Sequence, residues 1–193
     1  MWKVDIISMA FGFDEADDEL DVVIGETRHT LMFAAASNSR TEPLISSLAR
    51  IRHRVICVNA ADMKGNPLDS NPLQIPMTDN FSIVGKDVFL AENEYGSGTS
   101  IATTIAAGVA ALVLQFSRQK SPHQTSLDIS RLTTTAGMSS VLRAMSAGEL
   151  RGGFKFIQPT SMLLGNSGKG PYERAEEVCE SISQALQDRS DNY

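Results

Sequence analysis

Apolar residues in this chain fall into short, nearly unbroken runs separated by turn-formers, the pattern of strands covered on both faces. Val4 to Phe11 is one such run and stops at Gly12. Leu31-Met32-Phe33-Ala34-Ala35-Ala36 is a second and gives way to Ser37-Asn38-Ser39; Val55 to Ala60 is a third. Between the first two, Leu20, Val23 and Ile24 follow helical spacing behind an acidic stretch (Asp14, Glu15, Asp17, Asp18, Glu19, Asp21). Acidic residues in a first helical turn match the helix dipole. Lys64-Gly65-Asn66-Pro67 and Asp69-Ser70-Asn71-Pro72 are turn chemistry, and Asp87 to Ala91 predicts a short fourth strand. Ile105 to Leu114 contains only Ala, Gly, Ile, Val and Leu. It is shorter than the roughly 20 residues that span a bilayer. It predicts a helix buried on all sides, entered at Ser100 from the turn Gly96-Ser97-Gly98.

After that helix the pattern loosens. Gln115 to Ser126 is polar, contains Pro122 and reads as a connector. Met138, Val141, Leu142 and Met145 share one helical face, broken by Gly148, Gly152 and Gly153. Phe154 to Leu164 is mixed and apolar around Pro159. Ala175, Val178, Cys179, Ile182 and Leu186 mark a last amphipathic helix with Pro171 near its first turn, and Asp188 to Tyr193 reads as a frayed tail. Strands alternating with helices predict an α/β protein with a largely parallel sheet, a buried central helix and C-terminal helices.

Composition narrows the function classes. The 193 residues, 42% of them hydrophobic, suffice for one core. A net charge of −6 with no basic stripe argues against a nucleic-acid surface, and no membrane partner is expected. Two cysteines do not make a disulfide framework, and Cys57, inside Val55-Ile56-Cys57-Val58, reads as a buried thiol. No signal peptide is read at the N-terminus, which leans the expectation towards an intracellular protein. The acidic stretch is read as a solvated helix start and the Met faces as core packing, so neither a metal nor a cofactor is expected.

Ser100 is the first candidate for chemistry. At a helix mouth, free backbone N–H groups and the dipole favour a nucleophile whose substrate develops an oxyanion. The same position suits an ordinary N-cap. Asn38, after a strand, is by itself a turn-former.

Three stretches together carry a resemblance. Val4-Asp5-Ile6-Ile7-Ser8-Met9-Ala10-Phe11-Gly12 resembles the subtilase strand that pairs with a bound peptide backbone. Phe33-Ala34-Ala35-Ala36-Ser37-Asn38 resembles the strand ending in that family's oxyanion-hole Asn. Gly98-Thr99-Ser100-Ile101-Ala102, with Ala106-Ala107-Gly108-Val109-Ala110-Ala111-Leu112 behind it, resembles the nucleophile motif and central helix. The chain is thus similar to the C-terminal half of a subtilisin-like serine peptidase. Asp79-Asn80-Phe81-Ser82 and the stretch from Gly137-Met138 through Pro159 most resemble the intracellular branch of filamentous fungi. Residues 1–165 would be the C-terminal part of the peptidase domain, and 166–193 a C-terminal amphipathic helix and tail.

The resemblance implies serine endopeptidase chemistry on a peptide or protein substrate. Ser100 would be the nucleophile, and the Asn38 amide with the Ser100 N–H the oxyanion hole. Ser8, Met9, Ala10, Phe11 and Gly12 would bind substrate by adding it to a sheet edge. Asn38 is then expected at a strand end, its side chain roughly 4–8 Å from the Ser100 hydroxyl. The family's Asp and His precede the nucleophile in chain order. Neither Asp-Thr-Gly nor His-Gly-Thr occurs here, and His29, His53 and His123 stand in other contexts. Thr104 and Ile105 replace the Pro-His that often follows the nucleophile. The chain alone is therefore expected to be nearly inactive, with an upstream half as the partner that would supply Asp and His. The alternatives are a non-catalytic peptide-binding remnant, and a different hydrolase in which one of the three histidines serves Ser100.

Overall fold

A computed structural model describes residues 3–13, 17–27, 29–39, 46–76, 78–119, 127–146, 150–164 and 168–188. In chain order the elements are β1 (Ile6–Met9), α1 (Asp18–Glu26), β2 (Leu31–Ala35), α2 (Ser47–Arg50), β3 (Val55–Ala61), β4 (Phe81–Val84), β5 (Val88–Ala91), β6 (Glu94–Gly96), α3 (Thr99–Ser117), α4 (Ile129–Leu132), α5 (Thr135–Ala144), β7 (Leu150–Arg151), β8 (Phe154–Phe156), α6 (Pro159–Leu163) and α7 (Pro171–Gln187). Six strands form one sheet in the order β1-β2-β3-β4-β8-β7. Every neighbouring pair is parallel except the β7–β8 hairpin.

Both faces of the sheet are covered, which is why β2 and β3 are apolar at every or nearly every position. Phe33, Ile56, Val58 and Ile83 meet α3, α5 and α7 in the larger core. Met32, Ala34, Val55 and Cys57 meet α1 and α2 in the smaller. Helix α3 lies close on the sheet because Ala102, Ala106 and Ala110, all fully buried, keep its inner face thin. Helix α7 joins the same core through Val178, Ile182 and Leu186, and its Cys179 is fully buried.

Four expectations change. The fourth strand of the parallel sheet is Phe81–Val84, whereas Val88–Ala91 pairs with Glu94–Gly96 in a separate antiparallel hairpin. Phe154 to Phe156 is a strand: the glycines that break the preceding pattern, Gly152 and Gly153, make its hairpin turn with positive φ (56° and 82°). Helix α3 is not buried on all sides. Thr104, Gly108, Ala111, Leu112 and Gln115 form an exposed stripe, with Leu112 at 61% exposure. It is apolar and long enough by composition to cross a membrane, yet half of it packs inside the fold. Finally, β1 is an outer strand with Ile7 exposed, not a covered one. The tail beyond Asp188 lies outside the described residues, as does His123.

Candidate active site

Parallel strands bring their C-terminal ends to one edge of the sheet, and the candidate residues gather there. Ser100 is the second residue of α3, after Gly98 at the N-cap. The mouth is fixed by close backbone packing. Gly98 N–H donates to Gly85 O, and Gly85 N–H to Ala61 O at the end of β3. A Cβ on Gly85 would lie 2.9 Å from both the Ala102 Cβ and the Gly98 carbonyl, so only glycine fits. Gly98 itself has φ 137°.

Asn38 lies three residues beyond β2, at that same mouth. Its Oδ1 accepts from the Thr99 backbone N–H at 2.8 Å and from the Thr99 hydroxyl at 3.2 Å. Thr99 is fully buried and immediately precedes Ser100. Oδ1 is thereby committed to the helix, and the Nδ2 donors are left for another acceptor.

The third stretch arrives from β1. Leu31 N–H donates to Asp5 O, which sets the alternation along the strand: Asp5, Ile7 and Met9 address β2. Ile6, Ser8 and Ala10 therefore turn their N–H and C=O groups outward, along an edge that no other described strand covers. The Ser100 hydroxyl donates to the Ala10 carbonyl at 2.7 Å. Ser8 and Gly12 are exposed, Met9 is buried, and Phe11 is 58% exposed with its ring edge-on to Phe13 at 5.9 Å. The sequence reading missed the β5–β6 hairpin that leads into Ser100. It exposes Phe89, Leu90 and Tyr95, and a Cβ on Gly96 would touch both Leu90 and Ile101. The signal lay in the β-prone run Val88-Phe89-Leu90 and Tyr95 on either side of Glu92-Asn93, both of which adopt positive φ.

The geometry offers a hydroxyl, an amide and an open strand edge at one helix mouth. It offers no base for the hydroxyl among the described residues. His29 lies just before β2 and His53 just before β3, so both stand at the opposite end of the parallel strands. The reading in which either serves Ser100 is therefore disfavoured. A carbonyl accepts a hydrogen bond but cannot take up the proton, so the Ser100–Ala10 bond orients the hydroxyl without activating it.

The sequence model of the subtilase family of S8 peptidases matches residues 2–148. No curated protein matches the chain. Similar solved structures include a serine-to-alanine mutant of the protease domain of PatA, 26% identical with a TM-score of 0.63 over 81% of this chain and 57% of that one. The prenylagaramide maturation protease PagA is 22% identical, with a TM-score of 0.59 over 94% of this chain and 62% of that one. A cold adapted subtilisin-like serine proteinase is 20% identical, with a TM-score of 0.56 over 74% and 48%. The chain thus spans about half to three-fifths of the length of these proteins. The α/β architecture with its mostly parallel sheet is theirs as well. The family match covers all three stretches that meet at the mouth of α3, and the chain belongs to the subtilase family of serine peptidases.

Proposed function

We propose that this chain is the C-terminal, nucleophile-bearing part of a subtilisin-like endopeptidase, and that alone it hardly cleaves peptides. Ser100 is the nucleophile. The Asn38 amide and the Ser100 N–H hold the oxyanion, and Ser8 to Gly12 receive a peptide or protein substrate as an added strand. The observation that carries this reading is the meeting of Ser100, Asn38 and Ala10 at one helix mouth, where the Ser100 hydroxyl donates to the Ala10 carbonyl at 2.7 Å and the N–H of the adjacent Thr99 donates to Asn38 Oδ1 at 2.8 Å. An upstream half would supply Asp and His, and we infer an affinity with the fungal intracellular branch from the stretches Asp79-Asn80-Phe81-Ser82 and Gly137-Met138 through Pro159. Without a base the serine hydroxyl stays protonated at neutral pH. Loss of a triad member in such enzymes leaves only about 10³–10⁴-fold acceleration over water.

The test is labelling by a fluorophosphonate, which needs an activated serine. The isolated chain should remain unlabelled. Co-folding with an upstream half containing Asp-Thr-Gly and His-Gly-Thr should give labelling that Ser100→Ala abolishes. Ser100-dependent labelling of the chain alone would overturn the proposal. The second reading, a peptide-binding remnant, is favoured by the open edge at Ile6 and Ser8. Peptide binding without labelling in either experiment would select it.

A further inference from the structure

A large cavity lies away from Ser100. It opens at the other end of the sheet, where β3 and β4 begin, and is closed on one side by α5 and the end of α7. Its volume is about 1180 Å³. At about 3.3 Å per residue, the length of β3 puts it roughly 20 Å from the mouth of α3.

Arg52, in the turn between α2 and β3, lines this cavity. Its Nη1 donates to the Thr78 hydroxyl at 2.7 Å. Its Nε and Nη2 are buried, and neither has an acceptor among the described residues. These two nitrogens are the side-on fork of the guanidinium, whose parallel N–H bonds match the two oxygens of a carboxylate or phosphate. Three buried N–H donors of a cation left unmet are costly to keep.

The nearby groups do not answer that need. Asp79 is committed to Arg143 and Lys155, which hold its carboxyl below the usual range although burial pushes it upward. Asp188, at the end of α7, is exposed. Cys57 lines the same wall, but burial pushes its thiol up to about 11, so it is neutral at physiological pH and only a weak acceptor. The wall thus carries Arg52, Arg143 and Lys155 against Asp79 and Asp188, with His53 at its side. That is a local cationic excess in a chain of net charge −6.

We propose that this cavity binds a small molecule through a carboxylate or phosphate group held by the Arg52 fork. The fork is closed off from water in the ligand-free state. A turn about the side-chain torsions of Arg52 delivers it to the adjoining space, where the anion supplies the missing acceptors. The site is separate from the peptide edge, and its occupation ties the start of β3 to α5.

Isothermal titration and thermal unfolding of the chain with citrate and, separately, inorganic phosphate test this. A saturable heat and a saturable rise in unfolding temperature are expected with at least one of them; the one that binds identifies the anion class. Arg52→Gln should abolish both responses, and Arg52→Lys, a point charge without the fork, should weaken binding about tenfold or more. Ligand-free Arg52→Gln should unfold no lower than the parent, because it removes an unmet charge. Chloride at matched ionic strength should do nothing. No saturable response to either anion would overturn the proposal, as would an undiminished response in folded Arg52→Gln.

Discussion

Asn38 has a structural duty and, on the proposed reading, a chemical one, and they use different atoms. Oδ1 caps the Thr99 N–H; Nδ2 would meet the oxyanion. Asn38→Asp keeps the acceptor and adds a negative charge at a helix N-terminus, so unfolding by urea should find it as stable as the parent. Asn38→Ala orphans the buried Thr99 donors and should cost about 1–3 kcal/mol in the same experiment. In a complemented enzyme both should lower turnover far more than substrate binding, since an oxyanion donor acts in the transition state. Gly98→Ala should be destabilising by about 1–3 kcal/mol, because φ 137° strains any side chain there. The Cβ would also stand 3.0 Å from Asn38 Oδ1. Ser100 and Asn38 were singled out in the sequence by their flanking motifs. Their partners were not: Thr99 and Asn38 are 61 residues apart, and Ser100 and Ala10 are 90 apart. Only the folded sheet joins them.

Among the elements, length decided what could be read. Strands β2 and β3 are long, apolar and bounded by turn residues, and the sequence reading nearly matches their limits. Strands β4, β7 and β8 have two to four residues each and exist because they pair, not because their own pattern demands it. What secures β8 and α5 to the start of β4 is Asp79, which accepts from Arg143 and Lys155. Its carboxyl is desolvated, which would raise its pKa, but the two cations prevail and lower it. A lowered folded value means this contribution is complete above about pH 4 and is lost as pH falls through the folded value. Denaturant titrations between pH 6 and 3 should record that loss, and Asp79→Asn should flatten it. The Asp5–Arg118 pair, which links β1 to the end of α3, is about half exposed on both sides. Arg118→Ala should therefore cost no more than about 1 kcal/mol, less in high salt.

At the scale of the whole molecule, the apolar interior is not evenly closed. Leu112 and Leu114 are neighbours on α3, yet Leu112 is 61% exposed and Leu114 only 2%. Leu114→Ala should destabilise by about 2–5 kcal/mol, and Leu112→Ala by no more than about 0.5 kcal/mol in dilute urea titrations. An equal effect of the two would mean that the outer stripe is covered in solution. Light scattering should then report a mass above 20.9 kDa. The sequence could not distinguish these leucines, because an unbroken apolar run carries no mark of which side meets the sheet.

The two thiols divide this interior in another way. Cys57 belongs to the layer under α1 and α2, while Cys179 sits on α7 in the layer above the sheet. Each is a clock for the opening of its own layer. A thiol-blocking reagent reacts only when the surrounding structure parts, so the two blocking rates, read by mass spectrometry, convert to two opening free energies. If the layers part together, the clocks agree. If α7 peels away first, Cys179 runs ahead while Cys57 still keeps the time of the sheet.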